Sequence, residues 1–109
     1  MTDDIYEYLG QLFEWNMMKA ARNAINHRVR FTEAASVFFD EHALFEADPD
    51  HSDDEDRYIV LGYSIRADVL LVVHVIRGER IRLLSARVAT PGERRRYDEG
   101  RGRSIRDAR

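Results

Sequence analysis

The chain has 109 residues, of which 44% are apolar, enough for one compact core and too few for two domains. It contains no cysteine, which excludes a disulfide framework, a thiolate metal site and a cysteine nucleophile. No stretch approaches the run of about twenty apolar residues that a membrane span needs, and the acidic start MTDDIYEYLG is unlike a signal peptide. We therefore expect a single soluble domain in the cytoplasm, without membrane contact.

The net charge of -3 conceals two halves of opposite sign. Residues 1–56 contain 4 Lys and Arg against 14 Asp and Glu, whereas residues 57–109 contain 13 against 6. Lys19 is the only lysine, so the positive half is entirely arginine. Because a guanidinium group offers a rigid fork of donors that suits phosphate oxygens, the second half is predicted to bind a polyanion, and RNA is the leading candidate.

The first two elements are predicted to be a helix and a strand. Residues 3–9 can form a short leader helix, with Asp3 or Asp4 as its N-cap and Ile5 and Leu9 on one face. Residues 12–15 are typical of a short strand. The chain should therefore enter its main domain through a helix.

Two further helices are predicted before residue 41. Asn16 is a good cap for a helix that runs from Met17 to about Asn26. Thr32 can cap another helix, which should end near Asp40. Apolar residues at helical spacing define the faces that these helices should bury, namely Met17, Ala21, Ala24 and Ile25 in the first and Ala34, Val37 and Phe38 in the second.

Three runs rich in β-branched residues follow, at residues 57–65, 69–76 and 80–88, and a shorter strand can precede them at residues 43–47. The short connections favour antiparallel pairing. We therefore predict an α+β fold in which helices pack on an antiparallel sheet of three to four strands. The segment VLLVVHVI is apolar at both odd and even positions, so both of its faces should be buried. It is therefore predicted to be a central strand that is covered by helices on one side and by a partner on the other.

The segment Thr90-Pro91-Gly92-Glu93 is the sharpest local signal in the chain. Threonine at the N-cap, proline at the first helical position and glutamate three residues after the threonine make a capping box. A C-terminal helix should begin here and run to about Glu99, with Gly100 placed to end it. Residues 100–109 are polar and basic and are predicted to form a mobile tail.

Several kinds of site lack sequence support. No pair of the four histidines has zinc-ligand spacing. The acidic stretch at residues 48–56 alternates oxygen ligands like a calcium loop but lacks the central glycine, so a solvated turn is the better interpretation. Neither a G-x-S-x-G elbow nor a glycine-rich phosphate loop is present. We therefore expect no metal and no other cofactor.

The arginines of the second half are predicted to cluster. Arg80 and Arg82 share one side of the last strand, Arg87 lies where that strand ends, and residues 94–96 follow on the helix. The helix N-terminus beside Arg87 also favours anions. The alternative is that these arginines are solvated or paired with the many carboxylates of the first half.

Two histidines have different expected environments. His74 lies in an apolar strand and should be a core histidine with its hydrogen bonds satisfied. His27 lies in a polar stretch just after a helix, where it can be a structural cap or an acid or base. Only His27 is a candidate for proton transfer.

Four segments resemble, in order and spacing, the BrnT family of bacterial toxins, which belongs to the RelE-like group. The resemblance extends from Phe13 to Tyr97, and its most specific part is SAR-x-AT-x-x-ER-x-x-Y at residues 85–97. It implies an N-terminal extension at residues 1–11, a toxin domain at residues 12–99 with a RelE-like fold, and the tail at residues 100–109. The segments are FEWNMMKAARNAINHRV, FTEAASVFFDEHAL, DPDHSDDEDRYIVLG and RIRLLSARVATPGERRRY.

The resemblance implies a toxin that cuts RNA and arrests growth, as part of a type II toxin-antitoxin system. Cleavage would need no metal, since the ribose 2′-hydroxyl attacks the neighbouring phosphate. The implied partner is a BrnA-like antitoxin of the ribbon-helix-helix type, joined with the toxin in a heterotetramer, and operator DNA would be contacted only through that antitoxin.

The site residues are assigned on the same resemblance. Phosphate stabilisation falls to Arg82 and Arg87, and proton transfer to His27, with Tyr97 or Glu93 assisting. The residues expected to bind RNA are Arg57, Arg66, Arg80, Arg94 and Tyr97.

The chain departs from the family pattern beside His27. It has Asn16 where the family usually has aspartate, and Asn26-His27-Arg28-Val29 where the family has Lys-His-Gly-Val. The missing lysine leaves open a second interpretation, an inactive or weak toxin homologue that still captures its antitoxin and tunes transcription. A third is a free-standing nucleic-acid-binding domain. The missing glycine predicts a changed helix ending.

Overall fold

The computed structural model describes residues 2–48 and 56–107, and for residues 101–107 it describes the backbone alone. Most of the acidic stretch predicted to form a turn lies in residues 49–55, outside the described part. The elements, in chain order, are β1 (Asp3–Tyr8), β2 (Gln11–Asn16), α1 (Met17–His27), α2 (Phe31–Ser36) with a following 3-10 turn (Val37–Phe39), β3 (Leu44–Ala47), β4 (Tyr58–Tyr63), β5 (Val69–Arg77), β6 (Arg80–Val88) and α3 (Pro91–Asp107).

The six described strands form one sheet in the order β1-β2-β6-β5-β4-β3. All neighbours pair antiparallel except β2 and β6, which run parallel over three residues each. The α+β class and strands β3 to β6 are therefore confirmed. The predicted sheet of three to four antiparallel strands is too small, because an N-terminal hairpin adds two strands and a parallel pairing.

The prediction of a leader helix at residues 3–9 is wrong, since this segment forms β1 and turns directly into β2. Leu9 and Gly10 both have positive φ angles, 51° and 87°, and two such residues suit the tight turn of a two-residue hairpin. Alternation then places Tyr6 and Tyr8 against the core, whereas Ile5 is exposed. The alternation of buried and exposed residues that is typical of a strand therefore describes this segment, and its weak helical pattern does not.

Helix α1 begins as predicted, because the Asn16 side chain accepts a hydrogen bond of 3.0 Å from the backbone N–H of Lys19. Its predicted buried face is wrong, since Ile25 is 78% exposed. The residue that α1 buries is Asn23. Its side-chain amide donates to the Ala86 carbonyl at 2.8 Å and to the Val29 carbonyl, and it accepts a hydrogen bond of 3.0 Å from the Ala86 N–H. A polar contact therefore sets the rotation of the helix.

The link between α1 and α2 differs from expectation in two ways. Arg28 itself adopts the left-handed conformation, with φ 58°, and its backbone N–H donates a hydrogen bond to the Ala24 carbonyl. The ending is thus the usual left-handed one, and the predicted change is wrong. Helix α2 begins at Phe31 with Arg30 at its N-cap, so Thr32 lies in the first turn and is not the cap. The predicted end near Asp40 is confirmed.

The capping box at the start of α3 is confirmed. The Glu93 N–H donates to Thr90 Oγ1 at 3.2 Å, and the Thr90 N–H donates to Glu93 Oε1 at 2.9 Å. The predicted end near Glu99 is wrong, because α3 continues to Asp107. A Cβ atom on Gly100 would lie 3.2 Å from the Leu44 side chain, so this glycine permits close packing against β3. Mobility of residues 100–109 stays a prediction.

The sheet has an apolar layer on each face. Helices α1 and α2 cover one face, over a core that includes Phe13, Phe31 and Leu70. On the other face α3 packs Tyr97 against Leu61 and Leu71. Strand β5 is thus covered on both sides, as predicted, and α3 supplies cover on the second face. None of the described helices combines the length and the apolar composition that crossing a bilayer requires.

Replacing Asn23 by alanine should strongly destabilise the fold. The substitution leaves the Ala86 N–H and C=O without their partners in a buried place, and each unsatisfied buried group costs about 1–3 kcal/mol. We expect the free energy of unfolding, measured with urea, to fall by about 2–4 kcal/mol. Asn26→Ala, at an exposed position of the same helix, is the matched control and should change it little. Equal effects of the two substitutions would contradict this role of Asn23.

Candidate functional site

Four of the sequence's arginines lie on the sheet face opposite α1 and α2. The register of β5 and β6 sets Arg77 opposite Arg80, Val75 opposite Arg82, Val73 opposite Ser85 and Leu71 opposite Arg87. Directly opposite residues share a face. We call the set Arg77, Arg80, Arg82, Ser85 and Arg87 the arginine face.

A β-bulge brings Arg87 onto this face. His74 pairs with Leu83 and Val73 pairs with Ser85, so Leu84 is the extra residue of β6. Without it, strict alternation from Arg82 would turn Arg87 toward the helices. The expectation that Arg80 and Arg82 share one side of the strand is correct, and the bulge adds Arg87 to the same side, which alternation alone would not predict.

Arg82 is enclosed by carboxylates at the hairpin end of the arginine face. Its guanidinium lies 2.9 Å from Asp3 and 2.8 Å from Glu14, and its side chain is only 15% exposed. The hydrogen bond to Asp3, together with Glu14, raises the pKa of Arg82, and the same bond lowers the pKa of Asp3. Arg80 also contacts Glu14, at 3.4 Å. Arg82 thus ties the β1–β2 hairpin to β6, and this geometry does not support its predicted catalytic role.

Arg87 occupies the opposite end of the face, beside the start of α3. Two of its nitrogens donate to the two oxygens of Glu93, at 2.8 and 3.0 Å. The Arg87 hydrogen bond, supported by the capping bonds of Thr90, lowers the pKa of Glu93 to about 2. Glu93 is therefore an anion at neutral pH and a very weak base, which argues against its predicted part in proton transfer. It also occupies the helix N-terminus that we expected to hold a substrate anion.

A cleft of about 320 Å³ opens beside Arg87, and we call it the Arg87 cleft. Arg96 of α3 reaches into its lining and donates to Glu46 at 2.7 Å. Sequence reasoning included Arg96 in the predicted arginine cluster without making it a site residue, and it did not select Glu46. The available signal was spacing, since Arg96 follows Glu93 by three residues and so shares its helical face. The lining consists of Glu46, Asp48, Ile59, Leu71, Val73, Ser85, Arg87, Glu93 and Arg96.

None of the five predicted RNA-binding residues lines this cleft, and Arg66 and Arg80 line other pockets. Tyr97 is 1% exposed and its hydroxyl donates to Asp40 at 2.5 Å, so it is a core residue that offers no surface to RNA. Arg94 is exposed on α3 and pairs with Asp98 one turn away. Arg57 precedes β4 and is half-buried. Of these last three residues only Arg94 was expected to cluster with Arg87, and it does not line the cleft, because helical rotation separates neighbours in sequence.

The two histidines are separated by the fold. His27 is exposed at the end of α1 and lines a shallow pocket with Lys19, Asn26 and Leu84, not the Arg87 cleft. His74 is a core histidine, as predicted, with the Phe38 ring centroid 4.7 Å from its own and Nδ1 donating to the Val72 carbonyl at 3.3 Å. Burial lowers the pKa of His74, which favours the neutral form of its ring.

Arg66 occupies a second basic pocket. It lies in the turn between β4 and β5, where it lines a polar pocket of about 490 Å³ with Arg28 and Arg30. Sequence reasoning selected Arg66 for RNA binding, considered Arg28 only as a departure from the family pattern beside His27, and did not select Arg30. In the part of the chain that the structure describes, no group of three or more His, Asp or Glu side chains is arranged to hold a metal ion.

The chain matches a family model described as "Ribonuclease toxin, BrnT, of type II toxin-antitoxin system" over residues 15–93. It belongs to the BrnT family. The matched region contains Arg28, Arg66, Arg87 and Glu93, and it ends before Arg96. Membership in this class of toxin-antitoxin system implies a protein antitoxin as partner. A comparison with curated proteins gave no match.

Arg82→Ala should lower stability, because it leaves Glu14 without its shortest ion pair in a poorly solvated place. We expect a loss of about 1–3 kcal/mol in the free energy of unfolding, measured with urea. Arg80→Ala removes a longer and more exposed contact with the same carboxylate and is the matched control, expected to cost well under about 1 kcal/mol. A stability loss no larger for Arg82→Ala than for this control would refute the structural assignment.

The Glu93 carboxylate should make the fold sensitive to acid. Its pKa in the folded chain lies below its ordinary value of 4.5, at about 2, so its contribution is present above pH 4.5 and is lost as the pH falls toward 2. Glu93→Gln should therefore lower the free energy of unfolding by about 1 kcal/mol at pH 7 and leave it nearly unchanged near pH 2. Urea titrations across this pH range provide the measurement. Glu99→Gln, on the exposed side of α3, is the control, and a pH-independent effect of Glu93→Gln would count against the ion pair.

Proposed function

We propose that this chain cleaves RNA at the Arg87 cleft and that Arg87 and Arg96 bind the scissile phosphate. One observation carries the proposal: in a chain that belongs to a ribonuclease toxin family, Arg87 is held by both oxygens of Glu93 at the wall of an open cleft. An arginine fixed in this way needs little reorganisation when charge develops on a bound phosphate.

Arg87 suits this role better than Arg82 does. A guanidinium group has five N–H donors, and Glu93 engages two nitrogens of Arg87, which leaves donors for a phosphate. The Arg87 side chain is 38% exposed, whereas Arg82 is contacted by two carboxylates and is largely covered. Arg96 adds a second cation at the same cleft, again held by a carboxylate, that of Glu46.

The proposed reaction is an internal transfer at phosphorus. The ribose 2′-oxygen forms a bond to the neighbouring phosphorus as the bond from phosphorus to O5′ breaks, giving a 2′,3′-cyclic phosphate and a 5′-hydroxyl end. We propose that Glu46, which lines the cleft, accepts the 2′-hydroxyl proton, that water supplies the proton to O5′, and that the arginines neutralise the growing charge. Such a reaction requires no metal ion.

We further propose a ribbon-helix-helix antitoxin of the BrnA kind as the inhibiting partner, in a heterotetramer, and a RelE-like classification for the fold. Support comes from the family match and from the packing of helices on a small sheet with a C-terminal helix. A second candidate function is an inactive homologue that binds the antitoxin and tunes transcription. It is favoured by one observation, the neutralisation of Arg87 by Glu93.

Cleavage of a single-stranded RNA by the purified chain, in buffer with EDTA, tests the proposal. We expect products with 2′,3′-cyclic phosphate ends, and a loss of about 100- to 1,000-fold in kcat/KM for Arg87→Ala, because it removes a charge-stabilising donor. Arg87→Lys should recover part of the activity, since it keeps the charge but not the forked geometry. Arg22→Ala, an exposed arginine on α1, is the control and should be as active as the wild type. Thermal unfolding of each variant confirms that it is folded.

Different results identify different failures. A folded wild-type chain that binds its antitoxin but does not cut RNA at any concentration would favour the inactive homologue. Cleavage that stops in EDTA and returns with a divalent cation would contradict the metal-independent reaction. If Arg87→Ala cuts RNA as fast as the wild type, the Arg87 cleft is not the catalytic site.

A further inference from the structure

The acidic half of the chain contains one strongly basic segment. Residues 16–32 hold one lysine and three arginines and no Asp or Glu. The fold brings two of these arginines, Arg28 and Arg30, to the same pocket as Arg66, which lies 36 positions or more further along the chain. We call this the three-arginine pocket. Its lining also includes the Tyr6 ring, Thr32, Ile65 and two carboxylates, those of Asp68 and the buried Glu33.

The arginines of this pocket differ from those of the arginine face in their charge balance. Arg80, Arg82 and Arg87 each pair with a carboxylate. By contrast, across the part of the chain that the structure describes, none of the side chains of Arg28, Arg30 and Arg66 makes an ion pair. All three are exposed. Although Glu33 and Asp68 line the same pocket, neither forms an ion pair with these three arginines, so an anionic ligand can contact the guanidinium groups without breaking one.

Buried polar side chains fix the backbone that carries Arg66. Ser64 donates to the buried Glu33 carboxylate at 2.7 Å and accepts a hydrogen bond of 3.1 Å from the Arg66 N–H. The neighbouring Ile65 N–H donates to the Ser36 hydroxyl at 3.0 Å. The turn is thus bonded to α2, which follows Arg30 directly. These contacts hold the turn close to Arg30 before any ligand binds.

Arg28 occupies a position where its side chain costs stability. With φ 58°, it lies in the left-handed region, which is strained for any residue with a Cβ atom and unstrained for glycine. Its N–H bond to Ala24 does not require a side chain. The Arg28 guanidinium is therefore not needed for the fold, and its removal can be separated from unfolding.

The three-arginine pocket and the Arg87 cleft lie at the same end of the sheet. Arg87 is opposite Leu71, and Arg66 lies five residues before Leu71 in the turn that leads into β5. At about 3.3 Å for each extended residue, five residues span at most about 17 Å, and the turn at Ala67 shortens this distance. An extended RNA strand of a few nucleotides can span that distance around the end of the sheet.

From these observations we infer that Arg28, Arg30 and Arg66 form a phosphate-binding subsite that holds the RNA backbone beside the Arg87 cleft. The inference rests on the proposed ribonuclease function and adds where the substrate is held. The three guanidinium groups bind phosphate oxygens, and the Tyr6 ring, which lines the pocket, can contact a base. Because these contacts are to the backbone, the subsite contributes affinity rather than sequence preference.

Binding of a fluorescent single-stranded RNA to the full chain, measured over a range of salt concentrations, tests the subsite. Arg28→Gly, Arg30→Gln and Arg66→Gln should each weaken binding about two- to fivefold at low salt. Each should also reduce the slope of log affinity against log salt by roughly 0.7. Lys19→Gln, which removes one exposed positive charge at the other end of α1, should change neither quantity. Arg28→Gly should also raise Tm by several degrees, which excludes unfolding as the cause of weaker binding.

The outcomes separate the subsite from the proposed function. If the wild type binds and cuts RNA, Arg87→Ala removes cleavage, and the pocket variants match the wild type in affinity and salt slope, the subsite is refuted and the function stands. A wild type that neither binds nor cuts RNA overturns both. Variants that bind RNA normally but lose affinity for the protein antitoxin would make the pocket a protein-docking site and refute the RNA assignment.

Discussion

The bonding of β6 along the edge that β2 leaves unpaired is the constraint on which the rest of this structure depends. Strand β2 pairs with β6 only at residues 80–82, and then the chain turns into α1. Beyond that point the backbone of β6 needs other partners, and the Asn23 amide supplies them at Ala86. This one side chain fixes the rotation of α1 and anchors β6 just after its bulge. The bulge in turn places Arg87 on the arginine face, where Glu93 of α3 holds it.

Local signals in the sequence were sufficient to predict much of the fold. The Asn16 cap, the Thr90–Glu93 capping box and strands β4 to β6 were predictable because each depends on residues that are close in the chain. The N-terminal hairpin was missed although Gly10 marks its turn, since Leu9 beside it rarely adopts a positive φ. The buried face of α1 was missed because hydrophobic periodicity cannot select a polar residue such as Asn23.

The candidate site was less predictable because ion pairs between distant residues set the charge available to a ligand. Arg82 and Arg87 look alike in sequence, yet Arg82 is enclosed by carboxylates from the hairpin and Arg87 borders an open cleft. Tyr97 belongs to the most specific motif of the resemblance and nevertheless lies in the core. Only Arg66, among the residues selected for RNA backbone contact, lies in a pocket whose cations are unpaired within the described chain.

The departures beside His27 have a different meaning once the fold is known. Relative to the family pattern that the chain resembles, Asn26 replaces a lysine and Arg28 replaces a glycine. The segment therefore keeps one positive charge at this point, but the charge lies two residues further along the chain. Asn26 lines the shallow pocket of His27, whereas Arg28 lines the three-arginine pocket. Because α1 ends between these positions, a shift of two residues changes the pocket that receives the charge. The segment therefore need not indicate a decayed toxin, since the cation removed from the surroundings of His27 is present where the RNA backbone is proposed to bind.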